Sequence, residues 1–335
     1  MKLDVVGFGA LNLDKLYQVN RIAHEDEESF IRGKSESCGG SAANTIVGLA
    51  RLGMKTGFIG KVATDQEGSL LHNNLQNENI NTRGVLVTDD GRSGTVSGFV
   101  DNEGQRALYV DPGVNDCIEH HEISTDYINS SKILHLTSFI GKYSEKSIKT
   151  QESVLNEISN NVCVSFDPGR LYSERGVEFL DRFLNRSNIL LLNQSELRLL
   201  IGTSEDSRFT THETLKNVQN IQQEYGIDII VVKMGDKGSF VTQNVQSQFI
   251  KAFEVSCIDT TGAGDAFNAG FLLGYLNVND IKTMAIMGNY VASCCVTEHG
   301  ATDGLPDLQN LENIISNGLD MDWLLTKIGL KDYMG

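Results

Sequence analysis

Ile258-Asp259-Thr260-Thr261-Gly262-Ala263-Gly264-Asp265-Ala266-Phe267 sets two carboxylates six positions apart around a turn of small residues, and an apolar helical stretch running to Leu273 follows immediately. Gly262 and Gly264 permit tight backbone geometry, and Ala263 adds little bulk. Free NH groups at the start of such a helix, with the positive end of its dipole, make a site for an anion. An acid beside an anion site is repelled by it, so Asp265 needs a reason to be there. Two are available. Asp is favourable in the first turn of any helix, and a carboxylate in that place can take a proton from an attacking hydroxyl.

Outward from this turn, short β-branched runs alternate with amphipathic stretches: residues 3–9, then Ala42 to Leu52, then 56–62, then Gln66 to Asn77. That alternation predicts βα units around a largely parallel sheet. The later runs 132–136, 162–167, 188–193 and 227–235 are short, apolar and bounded by polar residues, as strands buried on both faces are. Residues 238–243 and 246–253 read as antiparallel strands at a sheet edge. Two segments, 13–37 and 92–111, break the pattern with polar alternation and turns such as Asp101-Asn102-Glu103-Gly104. They predict a small second sheet projecting over the strand ends as a lid. The expected division is an α/β core of residues 1–12, 38–91 and 112–306, a β lid of 13–37 and 92–111, and a helical extension of 307–335 containing Trp323.

With 28 Lys+Arg against 44 Asp+Glu, the net charge of −16 repels nucleic acid and anionic lipid, so neither is expected as a partner. The amino-terminal residues lack the basic, apolar and small-residue pattern of a secretory signal, and no apolar run reaches membrane-spanning length, so a cytoplasmic location is expected. The six cysteines include no CxxC pair, which argues against a zinc site and fits reduced thiols.

Four other clusters carry polar chemistry. Gly7-Phe8-Gly9-Ala10-Leu11-Asn12 nearly spells a dinucleotide fingerprint, but strand and loop follow it where a helix is required, so a Rossmann dehydrogenase is not supported. Asn12 and Asp14 are two apart on a strand and share a face, which suits neighbouring hydroxyls of a polyol or equally an Asx turn. Gly39-Gly40-Ser41 opens a helix with Asn44 one turn in; the glycines allow close backbone approach, and Ser41 alternatively caps a core helix. Asn193-Gln194-Ser195-Glu196 could hold a water-rich Mg²⁺ or form a capping box.

Together and in this order, these residues resemble the ribokinase-like (PfkB) carbohydrate kinases over roughly residues 3 to 307. IDTTGAGDAFNAGF is similar to that family's carboxy-terminal signature and CGGSAANTIVGLARLG to its amino-terminal one, with KMGDKG (233–238) and the late VTEHGATDGLP loop (296–306) in support. The resemblance implies a three-layer α/β/α fold with a β-sheet lid, and ATP- and Mg²⁺-dependent phosphorylation of an alcohol group. Asp265 looks like the general base, and the Gly262, Ala263, Gly264 and Asp265 backbone looks like the anion hole. Asn12, Asp14, Gly39, Gly40 and Asn44 resemble the substrate contacts. Asn193, Lys233, Gly235 and Gly238 resemble nucleotide contacts, and Glu196 the residue that orients Mg²⁺ through water.

In members activated by K⁺, the position of Asp259 helps bind that ion; here Gly304 stands where ribokinase-like enzymes place a serine near the end of the late loop. A neutral polyhydroxylated sugar is the expected substrate, a nucleoside the alternative, and a non-catalytic sugar or nucleoside sensor a more distant one. Tyr17, Phe30, Phe99 and Tyr109 in the lid segments would stack on a base or pack the lid. Exposed lid-strand edges suggest a homodimer.

Overall fold

A computed structural model describes residues 2–203, 210–244 and 246–309. The expected extension from 307 onward, Trp323 included, lies almost wholly outside the described residues. Thirteen strands are described: β1 (Leu3–Phe8), β2 (Asn12–Val19), β3 (Ile31–Gly39), β4 (Thr56–Ala63), β5 (Asn81–Thr88), β6 (Gly94–Val100), β7 (Arg106–Asp111), β8 (Ser131–Thr137), β9 (Cys163–Asp167), β10 (Ile189–Asn193), β11 (Ile229–Lys233), β12 (Gly238–Gln243) and β13 (Gln246–Lys251). They form a nine-stranded sheet, β13-β12-β11-β10-β9-β8-β1-β4-β5, and a four-stranded sheet, β3-β2-β6-β7.

In the large sheet β11, β10, β9, β8, β1, β4 and β5 run parallel to one another, and β12 and β13 close one edge antiparallel. Parallel strands need a covering layer on both faces, and β10 illustrates it. Ile189 and Leu191 join the core under the Ser41–Arg51, Ala263–Asn277 and Ile281–Cys295 helices, while Leu190 and Leu192 join the core under the Lys146–Glu157, Gly176–Arg186 and Thr211–Tyr225 helices. This is the three-layer arrangement expected from the alternating runs. The Ala263–Asn277 helix is apolar almost all round because it is sandwiched: Gly270 and Gly274 bring it onto Met284 and Met287, and Ala269 meets Gly48.

β5 was not anticipated. Its sequence, NTRGVLVT, has no fully buried residue, with Arg83 and Val87 exposed, and shows neither a continuous apolar run nor clean alternation. The fingerprint-like segment at 7–12 runs from β1 into β2 through three residues, so no helix follows it and the dehydrogenase reading fails. All six cysteines are free, and among the described residues no helix is long and apolar enough to cross a membrane.

The hinge between the sheets is held by a buried side chain the sequence did not single out. Asn115 Oδ1 accepts from Leu11 N (2.9 Å), and its Nδ2 donates to Leu11 O (2.8 Å) and Asn12 Oδ1 (3.0 Å). One amide thus satisfies both backbone groups of Leu11 at the point where the chain leaves one sheet for the other. Asn115→Ala leaves a buried donor and acceptor unpaired, so urea denaturation is expected to read a loss of about 3 kcal/mol; a loss within experimental error would refute the hinge role.

Candidate active site

The parallel strands all end at one edge, and the polar residues that follow them converge there. After β1 come Asn12 and Asp14 on β2. Asp14 lies against Gly39, close enough that a Cβ on Gly39 would sit 2.6 Å from its Oδ2. Burial alone pushes the Asp14 carboxyl up to about 6. It is a strand residue and makes no Asx turn. Gly40 precedes the Ser41–Arg51 helix at φ 119°, and no side chain caps that helix, so the alternative of a Ser41 cap does not hold.

Asn44, one turn in, points instead at the opening stretch: its Nδ2 donates to Asp265 Oδ2 at 2.8 Å, and Thr45 Oγ1 donates to the Asp265 carbonyl at 3.2 Å. The beginnings of two helices are therefore tied together at Asp265. Burial, the largest influence, raises the Asp265 carboxyl to about 7; the Asn44 hydrogen bond opposes this, and nearby Asp167 and Glu196 reinforce it against Lys233. Gly262 has φ 75°, and a Cβ there would lie 2.6–2.7 Å from Ala301, so both conformation and contact demand glycine.

Asp259 has a separate task. Its Oδ1 accepts from Thr261 N (2.9 Å) and Thr261 Oγ1 (2.7 Å), and its Oδ2 accepts from Gly300 N (3.0 Å). It forms an Asx turn that also fastens the late loop. Gly304 is pressed against the Cys294 and Cys295 carbonyls, where a Cβ would lie 2.7 and 2.6 Å from their oxygens, so that position has no room for a serine side chain.

Beside Asp265 lies a buried ion network that the sequence only half suggested. Lys233 Nζ, at the end of β11, donates to Asp167 Oδ2 at 2.7 Å and to Asn268 Oδ1 at 3.2 Å, and Asn268 Nδ2 donates to the same Asp167 oxygen at 2.7 Å. Burial pushes Asp167 up, but the Lys233 ammonium and the Asn268 amide outweigh it and hold the carboxyl low. Lys233, for its part, stays charged despite burial because Asp167 and Glu196 face it. Its ammonium also lies near the glycine turn: a methyl on Gly264 would be 3.5 Å from Nζ. Asp167 was visible only as the end of a strand and Asn268 only as a helix residue; the pairings span 66 and 35 positions and carry no local signal.

Asn193 and Glu196 do form the capping box, with Asn193 Oδ1 accepting from Glu196 N and Glu196 Oε2 accepting from Asn193 N at 2.7 Å. The box also fixes a buried carboxylate that burial and Asp167 raise to about 7. Lys233, Gly235 and Gly238 line a cavity of about 530 Å³ whose inner wall is Ala263 and Gly264. Phe253, Val255, Ala292 and Val296 supply an apolar wall with no motif to reveal it, and Asn193 is not among its lining residues.

The pfkB family carbohydrate kinase profile matches residues 2–308. The chain belongs to this family. An uncharacterized sugar kinase of Archaeoglobus fulgidus is 41% identical over 260 residues, covering 78% of this chain and 98% of the relative. An ATP-dependent ribose-1-phosphate kinase of Halopiger xanaduensis is 30% identical over 297 residues, 89% of this chain and 93% of the relative. The Arabidopsis thaliana ribokinase complexed with ribose and ATP superposes with a TM-score of 0.82 at 22% identity, covering 94% of this chain and 99% of that one. This PfkB-family kinase is therefore an ATP-dependent phosphotransferase with a ribokinase-like fold.

Lys233 is the cation on which three buried carboxylates depend. Removing one partner of a buried pair strands the other, so Lys233→Met is expected to lower stability by roughly 3–5 kcal/mol in urea denaturation. A variant as stable as the parent would mean that the network contributes nothing to the fold.

Proposed function

We propose that this kinase transfers the γ-phosphoryl group of ATP to a hydroxyl of a sugar, with Asp265 as the general base and the Gly262–Asp265 backbone as the anion hole. The observation that carries the reading is Asp265 itself: a carboxyl raised to about 7, aimed by Asn44, in the first turn of a helix whose initial residues line the 530 Å³ cavity. A base with that pKa accepts a proton near neutrality. ATP would occupy the cavity along Gly235 and Gly238, its terminal phosphates directed to the Ala263 and Gly264 NH groups and the Lys233 ammonium. Asp14, Asn12 and the Gly39–Gly40 backbone would receive the hydroxyls of the acceptor. Closure of the small sheet would exclude water from the transfer.

Mg²⁺ fits the oxygen donors: Asp167 and Glu196 share one ammonium, and the raised Glu196 carboxyl is short of positive charge. Glu196, with Asp167, would hold it through water, where it offsets phosphate charge. No step is assigned to K⁺, since both Asp259 oxygens already accept protein hydrogen bonds and Gly304 offers no side-chain oxygen.

Lid register bears on the acceptor. Tyr17 and Phe99 are directly paired across β2 and β6 and stack at 5.2 Å, with Tyr109 against Phe99 at 6.0 Å. Tyr17 is three positions from Asp14 on the same strand, so this aromatic group faces away from the carboxylate and packs the lid instead of a base. That favours a sugar over a nucleoside. Phe30, Ile31 and Tyr109 remain exposed. We infer that they pair two copies through the small sheet; light scattering should give a dimer mass, with Phe30→Glu dissociating it, and a monomeric parent would refute the pairing.

The decisive experiment is an ATP-coupled screen of pentoses, hexoses and their phosphates against adenosine, inosine and cytidine, repeated with Asp265→Asn. Turnover on a sugar, lost by roughly 10²-fold or more in the variant, is expected. Activity should rise between pH 6 and 8 as the base ionises, following its value of about 7. The carboxyl is raised in the fold, so its contribution to stability is present below the ordinary value of 3.8 and lost as pH rises through about 7. Asp265→Asn should therefore melt higher than the parent at pH 8. Near-normal turnover in the variant would end the assignment of the base.

A further inference from the structure

Arg51, the last residue of the Ser41–Arg51 helix, is held from two sides. Its Nε and Nη2 donate to the two carboxylate oxygens of Glu78 at 3.0 and 2.6 Å, a bidentate pair, and its Nη1 donates to the Thr302 carbonyl at 2.5 Å. Glu78 ends the neighbouring Gln66–Asn77 helix, so the guanidinium joins two rigid helices to one point of the late loop. Bidentate arginine–carboxylate geometry fixes direction as well as distance.

The residues beside Thr302 are the ones that touch the glycine turn. Gly300 N donates to Asp259 Oδ2, Ala301 packs on the Gly262 backbone, and the Cys295 thiol bridges the Thr261 and Ala301 carbonyls at 3.6 and 3.5 Å. Leu305, just beyond, rests on Gly48 of the same helix that carries Arg51. That helix therefore acts on the turn at two places. Near its start Asn44 and Thr45 hold Asp265 directly; at its end Arg51 holds the segment that walls Gly262.

We infer that Arg51 is a positioning residue for phosphoryl transfer: anchored by Glu78, it fixes the 300–302 segment against the Gly262–Asp265 turn and so sets where the turn's NH groups point. The inference rests on the reading of that turn as the anion hole. Arg51 is not among the residues that line the cavity, so its removal bears on the geometry of the turn and deletes no direct contact with the nucleotide. A displacement of the donors by about 1 Å costs on the order of 10²-fold in rate even when its origin is remote.

The test is steady-state kinetics of Arg51→Met and Glu78→Gln on the acceptor found active in the screen, with ADP affinity by calorimetry and melting temperature alongside. Expected is a kcat lower by roughly 10- to 100-fold in Arg51→Met, and less in Glu78→Gln, which keeps the shape of the contact and removes its charge. The ADP Kd should stay within about twofold of the parent, since ADP lacks the γ-phosphoryl group that the turn is read to receive. Unchanged kcat in both variants overturns the inference, and so does a kcat loss matched by equal losses of ADP affinity and folded fraction. If Arg51→Met does not fold, Glu78→Gln decides by the same comparison. Failure of the underlying reading has a different mark: Asp265→Asn would then retain turnover whatever Arg51 does.

Discussion

Asp265 holds its carboxylate where burial, Asp167 and Glu196 all oppose ionisation, and only the Asn44 amide and the Lys233 ammonium favour it. That balance constrains everything around it. The opposing influences must be strong enough to lift the carboxyl to about 7, and the favourable ones close enough to keep it from staying protonated. Shifting either helix start would change the 2.8 Å contact with Asn44, and shifting the end of β11 would move the one ammonium that the three carboxylates share.

The large sheet is what brings these opposing groups together. Its parallel strands all deliver their carboxyl ends to one edge, so Asp167, Asn193 and Lys233, each the last residue of its strand, come to the same edge on adjacent strands. Apolar residues fill the strand interiors and carry the packing, which frees the ends for polar groups that would be costly farther in. The Ala263–Asn277 helix, buried on all sides by its small residues, brings Asp265 and Asn268 to the same edge from above.

Strand runs such as ILLLN and IIVVK were legible because a strand buried on both faces must be apolar throughout. β5 was not, since an edge strand half-open to water has no such requirement. The glycine turn was legible as a tight helix start from its residue types, and Asn193–Glu196 as a cap from its spacing. The alternative of a Ser41 cap could not be decided from residue type, because a short polar residue at a helix start often caps, whereas here Gly40 at φ 119° leads the chain in without one. Asn115, Asp167, Asn268 and Arg51 carried no visible role, because each acts on a partner tens to hundreds of positions away.

By itself, then, the sequence determined the layer architecture, the place of the glycine turn and the pair of carboxylates around it, since these follow from local periodicity and from residue types within a few positions. Only the tertiary structure decided what those two carboxylates do. Asp259 uses both oxygens on two donors, nearby Thr261 and Gly300 of the late loop, whereas burial, with Asp167 and Glu196, raises Asp265 to about 7 against the opposing Asn44 amide and Lys233 ammonium, and these four residues arrive from four other elements. A carboxyl's proton affinity depends on distance and burial in three dimensions, and residue order along the chain does not contain them.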